Sequence, residues 1–433
     1  MRVKADIAQI RVVVLATTLG LGILSGAYAG PFPSGQPFDL TVGVGSTYNA
    51  STDTLSGGLV SNIFGAATLQ DLKNQVTDAG LSQINANYTP TSAATILAGY
   101  RGLPIVISAG AGSTAVSLVI PAIGLNKTFS TESNRDGNVT DMFNYLKSSG
   151  GDILNQLQQK LAQYSPIDPI AGNPSSMQSR MVSDDFDRSF TSFASNIKAA
   201  DGSSGNTNNL IGVGLSLASM DVGGINTQTT TLPLSYTVRD DLDPRKQFSF
   251  YAPISSSSTG SAKTYGVNFG AAYRFPVNDE WSLSPALGYG ISGSEDLGSG
   301  ASMLAASLTS QYTIRLDSFD LAIGNMVGVY QSTQLNVGSY SVDPHINNTV
   351  YRNGILASFP TNVMGQKMAI EASYILTNFT GTTLYSNNYQ EIGLTLGTNK
   401  SANSARSFVR AGITYLTGDN GITGYKINFG YWF

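Results

Sequence analysis

From about residue 205 onward the chain alternates apolar and small or polar residues with a period of two, segment after segment. Tyr265, Val267, Phe269, Ala271, Tyr273 and Phe275 alternate with Gly266, Asn268, Gly270, Ala272 and Arg274. Trp281, Leu283, Pro285, Leu287, Tyr289 and Ile291 likewise face away from serine, alanine and glycine. Such alternation predicts strands with two different faces. About twelve segments follow the pattern, from Leu210–Ser219 to the closing Tyr425–Phe433, each near the ~10 residues that cross a bilayer when tilted. An antiparallel transmembrane barrel explains them: apolar side chains outward to lipid, small polar ones inward to a lumen. An even strand count returns both barrel ends to one side of the membrane. A soluble sandwich would also alternate, but strand length and the closing aromatics favour the membrane. The last strand is expected to pair with the first, which leaves no open edge.

Upstream the period changes. Val139, Met142, Phe143 and Leu146 recur at helical spacing, as do Leu154, Leu157 and Leu161. After Pro166, Pro169 and Pro174 a third helix is expected over about 175–199, carrying Met177, Met181, Phe186, Phe190, Phe193 and Ile197. Its acidic residues are Asp184, Asp185 and Asp187. Two placements are open: a surface helix against the upstream domain, or a plug helix inside the barrel. Before these helices the chain is Gly/Ser/Thr-rich and β-leaning. Leu103–Ala109 and Ala115–Ile120 flank a Gly/Ser turn and predict a hairpin. Thr68 with Asp71 three residues later resembles a capping box opening a short helix. No repeat of solenoid length occurs.

At the amino terminus Arg2, Lys4 and Arg11 precede the apolar run Val12–Leu24, and Ala27-Tyr28-Ala29 follows as a small-x-small cleavage site. This is the layout of a secretory signal peptide. The expected organisation is therefore a signal peptide over 1–29, a mixed β-rich domain over 30–135, a helical linker over 136–204 and a barrel over 205–433.

Composition narrows the class. Of 433 residues only 12% are charged, about half the ~25% of soluble domains, and glycine (47 residues) and small polar residues replace them. A net charge of −4 without a basic stripe argues against nucleic acid as a partner. There is no cysteine and a single histidine, so thiolate chemistry is excluded and no metal cluster or cofactor motif is found.

The charges that remain fall in the inward register: Arg239, Arg274, Arg315, Lys367, Glu371, Glu391, Arg410 and Lys426. Charge there requires a wet lumen or protein that pairs with it. Two readings stay open, an ion-pair network that stiffens the barrel or a cationic lining that holds the acidic helix or selects anions. His345, in VDPHINN of the longest expected loop, has only Asp343 as a nearby acid and no nearby serine downstream. A solvated loop residue is expected, with a surface hydrolase as the remote alternative.

On these features the chain resembles the autotransporters, in which a signal peptide, a passenger and a lumenal helix precede a twelve-stranded translocator barrel. The resemblance covers about 175–433 and the closing GYKINFGYWF. Tyr425, Ile427, Phe429, Tyr431 and Phe433 also resemble the terminal signature that outer-membrane assembly machinery reads. The passenger-like region is short and lacks a β-helix repeat. The resemblance implies an outer-membrane location among lipid and lipopolysaccharide, and an amino-terminal domain displayed or retained for contact with an unknown surface ligand. A narrow anion-preferring channel with a periplasmic plug is the alternative.

Overall fold

The computed structural model describes residues 32–148, 152–190, 209–240, 243, 245–337, 340–398 and 408–432. The leader-like segment and Phe433 lie outside the described residues, as does the expected continuation of the third helix beyond Phe190.

Twelve antiparallel strands close into a barrel. In chain order they begin at Leu210–Val222 (strand 1). Strand 2 is Ile225–Leu232 continued by Leu234–Arg239, and strand 3 is Gln247–Tyr251 continued by Ile254–Thr259. Each is interrupted at a proline, Pro233 or Pro253, whose missing N–H cannot serve the ladder. Strands 4 to 7 are Ala262–Pro276, Trp281–Ser294, Ser299–Arg315 and Asp320–Thr333. Strands 8 to 12 are Asn347–Val363, Gln366–Gly381, Asn388–Thr398, Phe408–Gly418 and Thr423–Trp432. Strand 12 pairs with strand 1 from Gly212↔Trp432 to Asp221↔Thr423, which removes both edges.

The alternation is obeyed along most of the wall. Ile211, Val213, Leu215 and Leu217 of strand 1 and Tyr425, Ile427, Phe429 and Tyr431 of strand 12 are all exposed on the outer wall. Aromatic clusters rim the apolar band: Phe319 stacks on Phe359 at 5.1 Å, and Tyr273 on Phe275 at 6.1 Å. An apolar exterior with aromatic girdles around a polar interior defines an outer-membrane-type barrel. Among the described residues no helix is long and apolar enough to cross a membrane.

The amino-terminal region folds around an antiparallel sheet. Phe38–Val44 pairs with Ala94–Tyr100 and, on its other side, with Leu59–Val60 and Phe64–Ala66. Leu103–Ala109, Val116–Ile120 and Leu125–Phe129 complete the meander, with the expected hairpin in register Ile107↔Leu118. Helix α1 (Leu69–Gln75) has the capping box of Thr68 and Asp71, and α2 (Asp78–Ile84) follows at once, capped by Thr77. Helices α3 (Arg135–Ser148) and α4 (Asp152–Tyr164) follow the sheet. Val139, Met142, Phe143, Leu157 and Leu161 sink into the same core as Phe38, Leu40 and Leu118. These two helices are thus part of the amino-terminal domain's core.

That domain sits on one mouth of the barrel. Its core takes in Ile225, Ala262 and Leu297 from three barrel turns. Leu69 N–H donates to Asp296 O, and Gln158 Nε2 to Gly298 O. The covered mouth is the one formed by the turns after strands 1, 3, 5, 7, 9 and 11. Strands 1 and 12 begin and end at the opposite mouth.

Candidate functional site: a helix held in the lumen

Helix α5 (Met177–Phe190) runs into the barrel from the covered mouth. Just before it, Tyr385 N–H donates to Ala162 O and Ser386 N–H to Gly172 O, so the strand 9–10 turn grips the approaching chain. Gln178 Nε2 then donates to Asn348 Oδ1 near the covered end of strand 8. Phe190, at the far end of α5, packs against Gly324, close to where strand 7 begins at the open mouth. At ~1.5 Å per residue such a helix is about 21 Å long, most of the depth of the apolar band.

The helix lies against strands 4 to 7, and glycines make room for it. A Cβ at Gly290 would meet Met181 Sδ at 2.6 Å, and one at Gly324 would overlap the Phe190 ring. Met177, Met181, Phe186 and Phe190 form one core with Ala301, Met303, Ala305, Met326 and Leu356 of the wall. The apolar stripe of α5 therefore has a dry partner.

Its acidic residues have distinct partners. Asp185 is buried and accepts three hydroxyl hydrogen bonds, from Tyr251, from Ser307 at 3.0 Å and from Tyr330 at 2.7 Å. Asp184 accepts a long hydrogen bond from Asn268 Nδ2 at 3.4 Å. Asp187 stands 4.0 Å from Arg352, which forms a 2.5 Å ion pair with Glu391; Glu391 in turn accepts from Lys426 at 3.3 Å. Arg352 also lies over the rings of Phe186 and Tyr389 at 5.3 and 5.9 Å. Arg188 of α5 sits 3.9 Å over the Tyr251 ring. Deep in the wall these contacts replace the water that the charges would otherwise need.

The expected inward charges sort into two groups. Arg239, Arg274, Glu371, Glu391, Arg410 and Lys426 face inward, and several pair with one another. Arg410 bonds Glu371 at 2.5 Å, and Arg274 reaches Ser282 Oγ at 3.2 Å and Gln311 Oε1 at 3.4 Å. Arg315 and Lys367 share the inward register but are exposed beside the turns of the open mouth, so they are rim residues and not lumenal ones. Arg315 donates to Asp279 O across that rim. Tyr425, Ile427, Phe429 and Tyr431 lie on the lipid face; the side chain of Trp432 and the whole of Phe433 are outside the described residues.

Arg352, which lies early in strand 8, is not among the charges singled out from the sequence. The strand begins at Asn347, and Val350, Arg352, Gly354 and Leu356 continue one inward row that was visible in the alternation. Tyr251 and Tyr330 are inward by the same parity. Nothing in the sequence marks them as partners of Asp185.

Between α5 and the wall lies a cavity of about 320 Å³, lined by Arg180, Asp184 and Arg188 on the helix side and on the wall by serine, threonine and glycine together with Arg274, Arg352, Glu391, Arg410 and Lys426. His345 is remote from it. Its side chain is 67% exposed and 4.0 Å from Asp343, whose other oxygen accepts from Ser332 Oγ at 2.6 Å.

The sequence matches no protein-family profile and no curated protein. Among solved structures the barrel is similar to the β domain of the Bordetella autotransporter BrkA, with 13% identity and a TM-score of 0.41 over 52% of this chain and 98% of that one. It is also similar to the translocator domain of the autotransporter NalP from Neisseria meningitidis (11% identity, TM-score 0.40, 59% of this chain and 94% of that one). The KdgM porin is similar at 11% identity and a TM-score of 0.30, over 51% of this chain and 98% of that one.

Proposed function

We propose that this protein is an outer-membrane translocator-type barrel that anchors and displays its own amino-terminal domain at the cell surface. The supporting observation is the path of the chain. The amino-terminal domain caps the mouth opposite the barrel's own termini, and α5 joins the two through the lumen. The longest described connection, between strands 7 and 8, also lies at the capped mouth, the side expected to face outward because outer loops of such barrels are the longer ones. With that mouth outside, the domain is on the surface and α5 is its tether. A secretory leader over 1–29 and assembly through the carboxy-terminal strand belong to the same proposal, as does a ligand contacted by the displayed domain.

The alternative of an anion-preferring channel has the cavity beside α5 in its favour. Against it, Arg352, Arg410 and Lys426 are ion-paired with Glu391 and Glu371. A hydrolase is not part of the proposal: Asp343 lies between Ser332 and His345, whereas a serine relay needs the histidine in the middle.

The test uses single cysteines, which the chain lacks. On intact cells a membrane-impermeant maleimide should label Ser51→Cys, in an exposed hairpin of the domain. Met364→Cys, in the fully exposed turn of the open mouth, should be labelled only after lysis. The reverse pattern would show that the domain is periplasmic.

A further inference from the structure

On the outer wall two amides face lipid where every neighbour along their strands is apolar. Asn325 of strand 7 and Asn353 of strand 8 are directly opposed in register, and both are exposed. Val327 and Val329 flank Asn325 toward the capped mouth and Ile323 flanks it on the other side. Tyr351 and Ile355 flank Asn353. Asn353 is midway between Asn347, at the capped end of strand 8, and Phe359, in the aromatic rim. At a rise of ~3.3 Å per residue and a tilt of ~40° it is about 15 Å from each, near the centre of the hydrocarbon. Among the described residues neither amide has a hydrogen-bond partner.

Hydrocarbon offers nothing to an amide, so a carboxamide left facing it keeps the full cost of its lost water. Within membranes such side chains act as hydrogen-bonding contacts between polypeptides. Small residues lie on either side of the pair, Ser310 opposite Asn325 on strand 6 and the paired Ala357 and Ala372 further along, while Tyr351, Ile355 and Leu376 rise beside Asn353. Small residues allow a second surface to approach closely. The far side of the barrel, with Leu215, Leu217, Ile413, Ile427 and Phe429, has no such interruption.

We propose that the face built by strands 6 to 9 is a homodimer interface in the membrane, with Asn325 and Asn353 bonding to the same two residues of a second copy. A carboxamide is both donor and acceptor, so two identical rungs related by a two-fold axis along the membrane normal satisfy each other. That self-complementarity selects a second copy over a partner of different chemistry. The inference rests on the barrel spanning the membrane and is independent of which mouth faces outward.

Asn325→Cys and Asn353→Cys in the full chain, held in its native membrane, should each be converted by a short bis-maleimide to a species of twice the chain's mass. Leu215→Cys should remain a monomer. Two differently tagged copies should co-purify, and the double variant Asn325→Leu/Asn353→Leu should reduce that recovery at least tenfold. Retention of the compact, heat-sensitive band on cold gels would show that each barrel is still folded. The interface is overturned by folded cysteine variants that give no cross-link, by equal cross-linking at Leu215, by a product of another mass, or by undiminished co-purification of the double variant.

Discussion

Tyr330 of strand 7 donates its hydroxyl to Asp185 of the lumenal helix at 2.7 Å, and both residues are buried. The bond joins an element that precedes the barrel to the barrel wall, at a depth where no bulk water competes. With Tyr251 and Ser307 it makes Asp185 the polar anchor of α5.

Replacing that anchor should loosen the helix. Asp185→Leu would leave three hydroxyls without their acceptor, and hydrogen bonds to a charged group are worth about 1.5–3 kcal/mol each. Because the contributions overlap, a net loss of about 3 kcal/mol is expected in the unfolding free energy of detergent-folded protein, measured by urea titration. Asp185→Asn keeps an acceptor oxygen and should lose less. Equal losses for the two would show that the carboxamide cannot replace the carboxylate at all.

The Arg352–Glu391–Lys426 cluster gives an ordered series. Arg352 and Glu391 are both almost wholly buried, whereas Lys426 is 25% exposed. Removing either member of a buried pair strands the other charge, at about 3–5 kcal/mol. Arg352→Ala and Glu391→Ala should each fall in that range, and Lys426→Ala nearer 1 kcal/mol. The same unfolding assay checks the order; a larger loss at Lys426 would place the main support of Glu391 elsewhere.

At the capped mouth Arg101 bonds Asp168 at 3.1 Å, with side chains 0% and 1% exposed. Asp168 also accepts from the N–H groups of Ile170 and Ala171, so one carboxylate ties the domain's sheet to the segment that leads into α5. Burial pushes the Asp168 carboxyl above the ordinary carboxylate range, and the Arg101 guanidinium works against that rise. For a group whose folded pKa is raised, stability is greatest in acid and is lost as pH rises through the folded pKa. Arg101→Ala removes the opposing charge and should raise that pKa further. Its cost should therefore be largest at neutral pH and shrink on acidification, as the stranded carboxylate takes up a proton. Limited proteolysis of the domain between pH 7 and pH 5 measures this; a cost independent of pH would mean that Asp168 stays ionised without its partner.

How much was legible beforehand follows from the range of each interaction. Period-two alternation is local, and a barrel wall repeats one environment for every strand, so strand existence, facing and the pairing of strand 12 with strand 1 could be read directly. The Thr68–Asp71 capping box and the hairpin around the Gly/Ser turn are local in the same sense. The inward register of Arg239, Arg274, Glu371, Glu391, Arg410 and Lys426 followed from parity alone. Parity says nothing of height, which is why Arg315 and Lys367 share the inward register yet lie on the rim.

Three decisions belong to the tertiary structure. Helices α3 and α4 carry stripes that would suit several partners; only the assembled sheet shows that they close the amino-terminal core. The stripe of α5 could have covered a surface. It lies instead on the wall of strands 4 to 7, because Gly290 and Gly324 leave space there and Tyr251, Ser307 and Tyr330 converge on Asp185 from three strands distant in sequence. Which mouth receives the helix was likewise invisible in the residues, since a helix is equally amphipathic read in either direction. Alternation along one strand is a property of neighbours in the chain, whereas a lumen and the helix that fills it exist only once twelve strands have closed.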